Sequence, residues 1–541
     1  MDTRRWLIAI WLCFLLRIAF YSSAFPLWEG FDEWSYFAVL RRVALRGELL
    51  VSRNAPIPKD VQASLETAPV PWELRGYDPP SITEDAFWRL SSEDRERRQA
   101  VFHSLPLEMQ KEDAGTGLRA YEALQPPLYS WLMAPVVRLL DSRSLAEQVL
   151  AIRWLSALVA STTIPLAFLV GREALGGDTA ALGIAAVIAV MPEFAIDTFR
   201  ISNECISIPL YTLVMWLALR IAQSPISYRT AATLGVVLGL GLLAKVYLLT
   251  AIPPLTIIFV RLFWIERHVR KQVTLSAAIC VASAASIAAW WYARNFATTG
   301  TVSGLSEAVL TQRQGHDALL QVLQVRWASA IDSIAFSHIW FGAWSSLTVR
   351  SWIYHLFYLL ILASAIGLIR ALRETPIWVL AAFYGFFWIG ELYNVLLLLA
   401  TKGASTSMGW YMYAVAAAEV TLCVAGLRIW VKARRQAYIP ASGVLLFALL
   451  DLYTINGIAI PYYTGMISHG ANGSLEAVHW NDLSSLGATE IFSRLAAFKG
   501  PWVNPPLLFI LWLAYLVSTV SLIAIGFHVA GSRPVSKEPE L

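Results

Sequence analysis

Cysteine is nearly absent from this chain. Its four thiols, Cys13, Cys205, Cys280 and Cys423, each fall inside or at the edge of an apolar run. None sits in a Cys-x-x-Cys pair or beside clustered histidines, so neither a disulfide framework nor a zinc site is expected. Charge is scarce as well. Asp, Glu, Lys and Arg make up 15 % of the 541 residues, against about 25 % in a soluble globular protein, and that deficit excludes a soluble enzyme. His103, His316, His338, His355, His469 and His479 show no metal-ligand spacing, so no metal ligand is assigned, and no repeat of fixed period runs through the chain. The triplet Asn472-Gly473-Ser474 is of a kind that recurs by chance and carries no weight. The opening apolar run from Trp6 reaches about Phe25 without a small-residue cleavage site, which predicts a retained helix and no cleaved signal peptide.

Hydrophobic residues take the place of charge: 57 % of the chain, with 23 Trp and 20 Tyr. Runs of about 20 apolar residues, enough to cross about 30 Å of hydrocarbon, recur along it. They lie near 6–25, 147–171, 178–193, 204–222, 231–249, 252–265, 274–296, 351–370, 376–400, 408–430, 440–461 and 505–528. The expected fold is an all-α polytopic membrane protein with about twelve transmembrane helices. A further apolar stretch, Gln125 to Leu140, would span only about 24 Å as a helix. The positive-inside rule decides its placement. If it does not cross, Arg4/Arg5, Arg172, Arg220/Arg229, Arg267/Arg270/Lys271, Arg370/Arg373, Arg428/Lys432/Arg434/Arg435 and Arg533/Lys537 share the cytoplasmic side. The short outer loops then keep little beyond Arg200 and Lys402. The stretch is therefore read as a helix along the outer interface, with Tyr129 and Trp131 at headgroup level and both chain termini inside.

Three outer loops are then large: about 26–146, 297–350 and 462–504. The first is punctuated at Pro56/Pro58, Pro69/Pro71 and Pro79/Pro80 and carries the charged run Ser91 to Arg98, read as a solvated helix capped by Ser91 or Ser92. No outer segment is long and apolar enough for a core of its own. The net charge of +4 is spread between helices as topology signals, so membrane lipids are expected as surroundings and nucleic acid is not expected as a partner.

The residues with chemical capacity sit at one level. Between Trp28 and Phe37 lie Glu29, Asp32 and Glu33, three carboxylates where the first helix meets water. Acids at membrane depth mark functional sites. Asp32 and Glu33 are adjacent, so on a helix their side chains diverge by about 100°; one can face a reaction centre while the other orients it or holds a cation. The Pro126-Pro127 pair fixes the entry of the interfacial helix and leaves Gln125 extended before it, able to hydrogen-bond a sugar or the acidic motif. Arg200, Asn203 and Glu204, Lys245 and Tyr247, and Arg294 with Asn295 stand at outer ends of three different helices. Cations so placed can clamp a phosphate, Arg bidentately and Lys as a point charge, although snorkelling to headgroups is the plain alternative. Arg17, deep in the first helix, is expected to pair within the bundle. The pattern describes an enzyme at one face of a bilayer working on an anionic, lipid-borne substrate. A lipid-linked sugar flippase or other transporter would place polar groups nearer the midplane and often show repeated halves; a polysaccharide polymerase or ligase would share the large outer loops.

These residues resemble the GT-C superfamily of integral-membrane glycosyltransferases, which includes the lipid A aminoarabinose transferases and the protein O-mannosyltransferases. The resemblance is carried by Asp32-Glu33 followed by Tyr36, by Gln125-Pro126-Pro127-Leu128-Tyr129, by Asn203-Glu204, by Gly241-Leu242-Leu243-Ala244-Lys245, by Trp291-Tyr292-Ala293-Arg294-Asn295 and loosely by Gly409-Trp410-Tyr411. Gln125 stands in place of a family His, Glu204 of an Asp and Trp410 of an Arg. The resemblance implies a seven-helix catalytic module over residues 1–300, including the loop 26–146, followed by residues 301–541 with the loop 297–350 and a five-helix membrane region. It implies inverting transfer of a sugar from a polyprenyl-phosphate donor to a glycan, lipid or protein acceptor at the outer face of a membrane. Asp32 would be the general base and Glu33 its orienter or a cation ligand. Lys245, Arg294 and Arg200 would bind the donor phosphate. Tyr36, Gln125, Tyr129, Asn203, Glu204 and Tyr247 would contact substrate. No cofactor is implied beyond a divalent cation at Glu33, and a bacterial inner membrane is the expected location.

The topology has a direct test. In a variant lacking the native cysteines, single cysteines near Arg98 and Asn472 are expected to react with an impermeant reagent from outside, and those near Lys271 and Arg434 are not; outside labelling near Arg434 would overturn the interfacial placement of 125–140.

Overall fold

The computed structural model describes residues 2–76, 81–115, 117–225, 227–313, 318–478, 481 and 486–532; Pro79, Pro80, His316, His479, Arg533 and Lys537 lie outside them. Among the described residues the structure is helical, with isolated β-bridges and no strand. Ten helices are long and apolar enough to cross a membrane, or eleven if the bent pair Asp178–Val190 and Pro192–Phe199 is one span. With the 17-residue helix Tyr228–Ala244, they coincide with the segments marked in the sequence. All four cysteines are free, Cys205 and Cys280 buried.

Two of these elements depart from a plain span. Pro192 has no amide hydrogen and pushes Met191 into extended backbone, so the helix breaks there and turns by 67°. The short helix Pro192–Phe199 is wholly buried, and it carries Glu193 and Asp197 inward. The fifth span ends sooner than its hydropathy suggests. Lys245 is extended (φ −152°, ψ 141°), and Val246–Ala251 forms a 3₁₀ turn that leads directly into Ile252–Ile265. The apolar residues after Lys245 thus belong to the sixth span.

The stretch near Gln125 becomes the 12-residue helix Leu128–Leu139, which packs on the helix Glu33–Arg46. Ser91 caps the charged helix Ser92–His103, its Oγ accepting the Asp94 amide at 3.1 Å. Apolar side chains of the 26–146 segment, among them Trp34, Ile57, Val61 and Phe87, do form a buried cluster. It is no independent core, because Ile152, Cys205 and Ala244 from spanning helices complete it.

The helices Thr3–Ala24, Asp178–Val190, Tyr438–Thr454 and Pro505–Gly531 pack together around Arg17. Arg17 is fully buried and forms an ion pair with Asp451 at 2.8 Å. It also donates to Thr519 Oγ1 at 3.2 Å, to Val190 O at 3.1 Å and to Ala189 O. Those two carbonyls lie in the last turn before the Pro192 break, where helical partners run out. One guanidinium therefore neutralises a buried acid and caps a broken helix. Breaking a buried pair costs about 3–5 kcal/mol, so Asp451→Leu is expected to lower the thermal-unfolding midpoint in detergent strongly. Adding Arg17→Met should recover only part of the loss, because the Ala189 and Val190 carbonyls stay unpaired.

Candidate active site

The acidic motif is built on a strained turn. Trp28 (φ 64°) and Asp32 (φ 58°) both adopt left-handed backbone, a conformation that Asp tolerates better than most residues and that costs of order 1–3 kcal/mol where it persists. Packing holds the turn. Trp28 is fully buried, and its Nε1 donates to Ser64 Oγ at 3.0 Å. A Cβ on Gly30 would lie 2.5 Å from Arg200 Cβ, so only glycine lets the turn rest there. Arg200 also donates to Phe31 O at 2.5 Å.

Beyond the turn the two acids part. Glu33 is fully buried and held bidentately by Arg153 at 2.7 and 2.5 Å, and it also accepts the Ile201 amide at 3.1 Å. Asp32 is half-buried on the other side, where the Tyr121 hydroxyl donates to its Oδ1 at 2.6 Å. Burial pushes the Asp32 carboxyl up most, opposed by the Tyr121 bond and by Arg200 and Lys245.

Next to the motif, helix ends meet in a polar knot. Lys245 donates to Glu204 Oε1 at 2.6 Å, Asn203 Oδ1 at 2.8 Å and the Tyr36 hydroxyl at 3.1 Å. Tyr36 donates to Asn203 Oδ1 at 2.9 Å, and Asn203 Nδ2 to Ala244 O at 2.8 Å. Arg200, 2 % exposed, is enclosed by Asp197 at 2.6 Å and Glu204 at 3.3 Å. Tyr247 and Tyr129 are paired with Ser207 and Ser156. The segment Gly409–Tyr411 joins from far along the chain: Trp410 stacks on Phe31 at 3.6 Å, and Tyr411 lies under the Lys245 ammonium at 5.7 Å. Gly409 lets that segment lie against the Trp327–Ile339 helix, since a Cβ there would lie 1.9 Å from Ile334 O.

A cleft of about 430 Å³, open mouth included, lies beside the knot. Tyr36, Gln125, Tyr129, Asn203 and Arg294 line it, so five of the expected site residues share one wall system. Arg294 is exposed there, its guanidinium over the Trp291 ring at 5.2 Å. Asp32, Glu33, Arg200, Glu204, Lys245 and Tyr247 are not on the cleft surface; Lys245 touches it through Tyr36 and Asn203, while Asp32 is bonded to Tyr121, the chain neighbour of the lining residue Glu122. Among the described residues no group of three or more His, Cys, Asp or Glu side chains is placed to hold a metal ion.

Sequence reasoning passed over several partners. Arg153 and Glu193 are charges within apolar runs and Asp197 lies just beyond one, the signal that marks intramembrane function or pairing. Glu193 accepts the Phe341 and Gly342 amides at 2.9 Å each, tying the 297–350 segment to the bundle. Tyr121 and Glu122 open the stretch Tyr121 to Tyr129 that the Pro pair marks in the sequence, but only Gln125 and Tyr129 in it were expected at the site.

Residues 124–291 match the family described as dolichyl-phosphate-mannose-protein mannosyltransferase. The match covers less than half of the chain. Gln125, Tyr129, Asn203 and Trp291 of the cleft fall within the matched segment. Solved structures similar to this chain include ArnT from Cupriavidus metallidurans in the apo state, with 14 % identity over 97 % of this chain and 77 % of that one and a TM-score of 0.47. The same protein bound to undecaprenyl phosphate gives 15 % identity, the same coverage and a TM-score of 0.45. The archaeal oligosaccharyltransferase AglB from Archaeoglobus fulgidus, in complex with an inhibitory peptide and a dolichol-phosphate, gives 13 % identity over 98 % of this chain and 56 % of that one, with a TM-score of 0.41. No curated protein matches the chain.

The unequal surroundings of the two acids lead to unequal costs. Glu33→Gln leaves the Arg153 charge buried and uncompensated and is expected to destabilise by about 3–5 kcal/mol. Asp32→Asn keeps a hydrogen bond to a neutral phenol and should cost about 1 kcal/mol. Thermal unfolding of the two purified variants checks the order.

Proposed function

We propose that this chain is a membrane glycosyltransferase of the GT-C superfamily that moves a sugar from a polyprenyl-phosphate donor to an acceptor hydroxyl of a glycan, lipid or protein, at the outer face of a bacterial inner membrane and with inversion at the anomeric carbon. The observation that carries the reading is the cleft itself. It lies where several spanning helices end, is walled partly by the family-matched segment, and presents one exposed guanidinium near the turn in which Tyr121, beside the lining residue Glu122, holds the Asp32 carboxylate.

Asp32 accepts the proton of the acceptor hydroxyl as that oxygen attacks the anomeric carbon and the bond to the phosphate oxygen breaks. A single displacement assisted by one base inverts the centre. The negative charge that grows on the leaving phosphate meets Arg294, and a contact that strengthens as charge develops lowers the barrier. Lys245, already bonded to three groups, acts by setting Tyr36 and Asn203 in the wall and by keeping Asp32 from rising further. Glu33 orients the turn through Arg153.

Asp32→Asn is expected to reduce transfer by about 10²–10⁴-fold with donor binding near wild type; turnover above half of wild type would remove Asp32 from the role. Arg294→Ala should weaken donor binding by about 1.5–3 kcal/mol, and Arg294→Lys should be tolerated only in part because an ammonium cannot make a bidentate contact. Mass spectrometry of cell-surface glycans with and without the gene identifies the product.

A further inference from the structure

The transfer described above leaves one carboxyl of the cleft unused. Glu122 is the one acid among the described residues that lines it. It sits in the 3₁₀ turn Tyr121–Leu124, held by its amide donating to Ser35 Oγ at 3.1 Å. The preceding residue, Tyr121, donates to Asp32. The Glu122 carboxyl lies beside the Tyr36 hydroxyl, yet its enclosed Oε2 has no partner of its own, and neither has Gln125 Oε1 on the same wall. An enclosed carboxyl oxygen without a partner is costly in its charged form. It becomes an asset when it carries a proton and a ligand acceptor arrives.

We infer that Glu122 serves as a neutral acid whose carboxyl O–H donates a hydrogen bond to a phosphate oxygen of the lipid-linked donor, across the cleft from the Arg294 guanidinium. This rests on the reading of the cleft as the donor site. Glu122 faces Asp32 and Tyr36 from the acidic-motif helix and its cap, Glu204 and Lys245 from two other helix ends, and Arg294 across the cleft. Burial first, and the Asp32 charge second, hold its carboxyl up to about 8. Two carboxyls with unlike surroundings thus take opposite parts: Asp32 accepts a proton, and Glu122 keeps one. When the bond from the anomeric carbon to the phosphate oxygen breaks, the electron pair stays on that oxygen, and the Glu122 hydrogen bond shortens as the charge grows. No proton leaves Glu122 in the step; the proton taken by Asp32 passes to water afterwards.

The test is binding of a short-chain polyprenyl phosphate to purified protein in detergent between pH 7 and 9.5. Below its transition Glu122 is protonated and donates; above it the carboxylate repels phosphate, so affinity should fall as pH rises through about 8. The loss is about tenfold for each unit by which bound phosphate raises the Glu122 transition. Glu122→Gln, whose amide still donates but does not titrate, should bind with flat pH dependence, and Glu122→Asp should keep the dependence with weaker binding. A decline in Glu122→Gln equal to that of wild type, or flat binding in wild type, would overturn the inference while leaving the donor cleft intact. Absence of binding to wild type at every pH would overturn both.

Discussion

Arg153 rises from an apolar helix and reaches four oxygens: both of the Glu33 carboxylate and the carbonyls of Phe25 and Pro26. That contact ties the end of the first helix to the start of the next. A buried ion pair recovers its desolvation cost only when its remaining donors and acceptors are met; here the Ile201 amide completes Glu33. Because Glu33 is fixed inward and its neighbour diverges from it, Asp32 points toward Tyr121. The left-handed backbone at Asp32 is the local cost of that arrangement.

The same logic governs the other cations. Arg17, Arg153, Arg200 and Lys245 are each at most 6 % exposed and each is bonded to an acid. Lys499, also buried, donates to Phe25 O. In a medium of low dielectric such charges set fields without moving, which is the kind of preorganisation that charge development in a transition state requires. Arg294 differs: it is exposed, rests on an indole and lines the cleft. Of the three cations that the sequence offers for a phosphate, two are engaged inside the protein and one faces a space that a ligand can enter.

The break at Pro192 links the membrane bundle to the site. It turns Glu193 and Asp197 inward, where Asp197 holds Arg200 and Glu193 anchors the Phe341–Gly342 backbone. The carbonyls it leaves open are met by Arg17. A defect in one helix thus supplies the acids that position the acidic turn, and a buried cation from another helix repairs it.

Composition and period alone determined that this chain is a helical membrane protein, where its apolar segments lie, that the stretch after Gln125 is too short to cross by itself and that Ser91 starts a helix. Those are properties of neighbouring residues: run length, turn chemistry and the cost of charge near hydrocarbon. Tertiary structure alone decided which of Asp32 and Glu33 turns inward, that Arg200 and Lys245 are already paired, that the fifth span stops at Lys245, and that Glu122 lines the cleft while Asp32 stands behind it. Each of these depends on a partner distant in the chain, Arg153 for Glu33 and Asp197 and Glu204 for Arg200 and Lys245, or on which wall a side chain reaches. A carboxylate or a guanidinium reads the same in sequence whether its partner is protein or substrate; only the packed helices decide which one it meets.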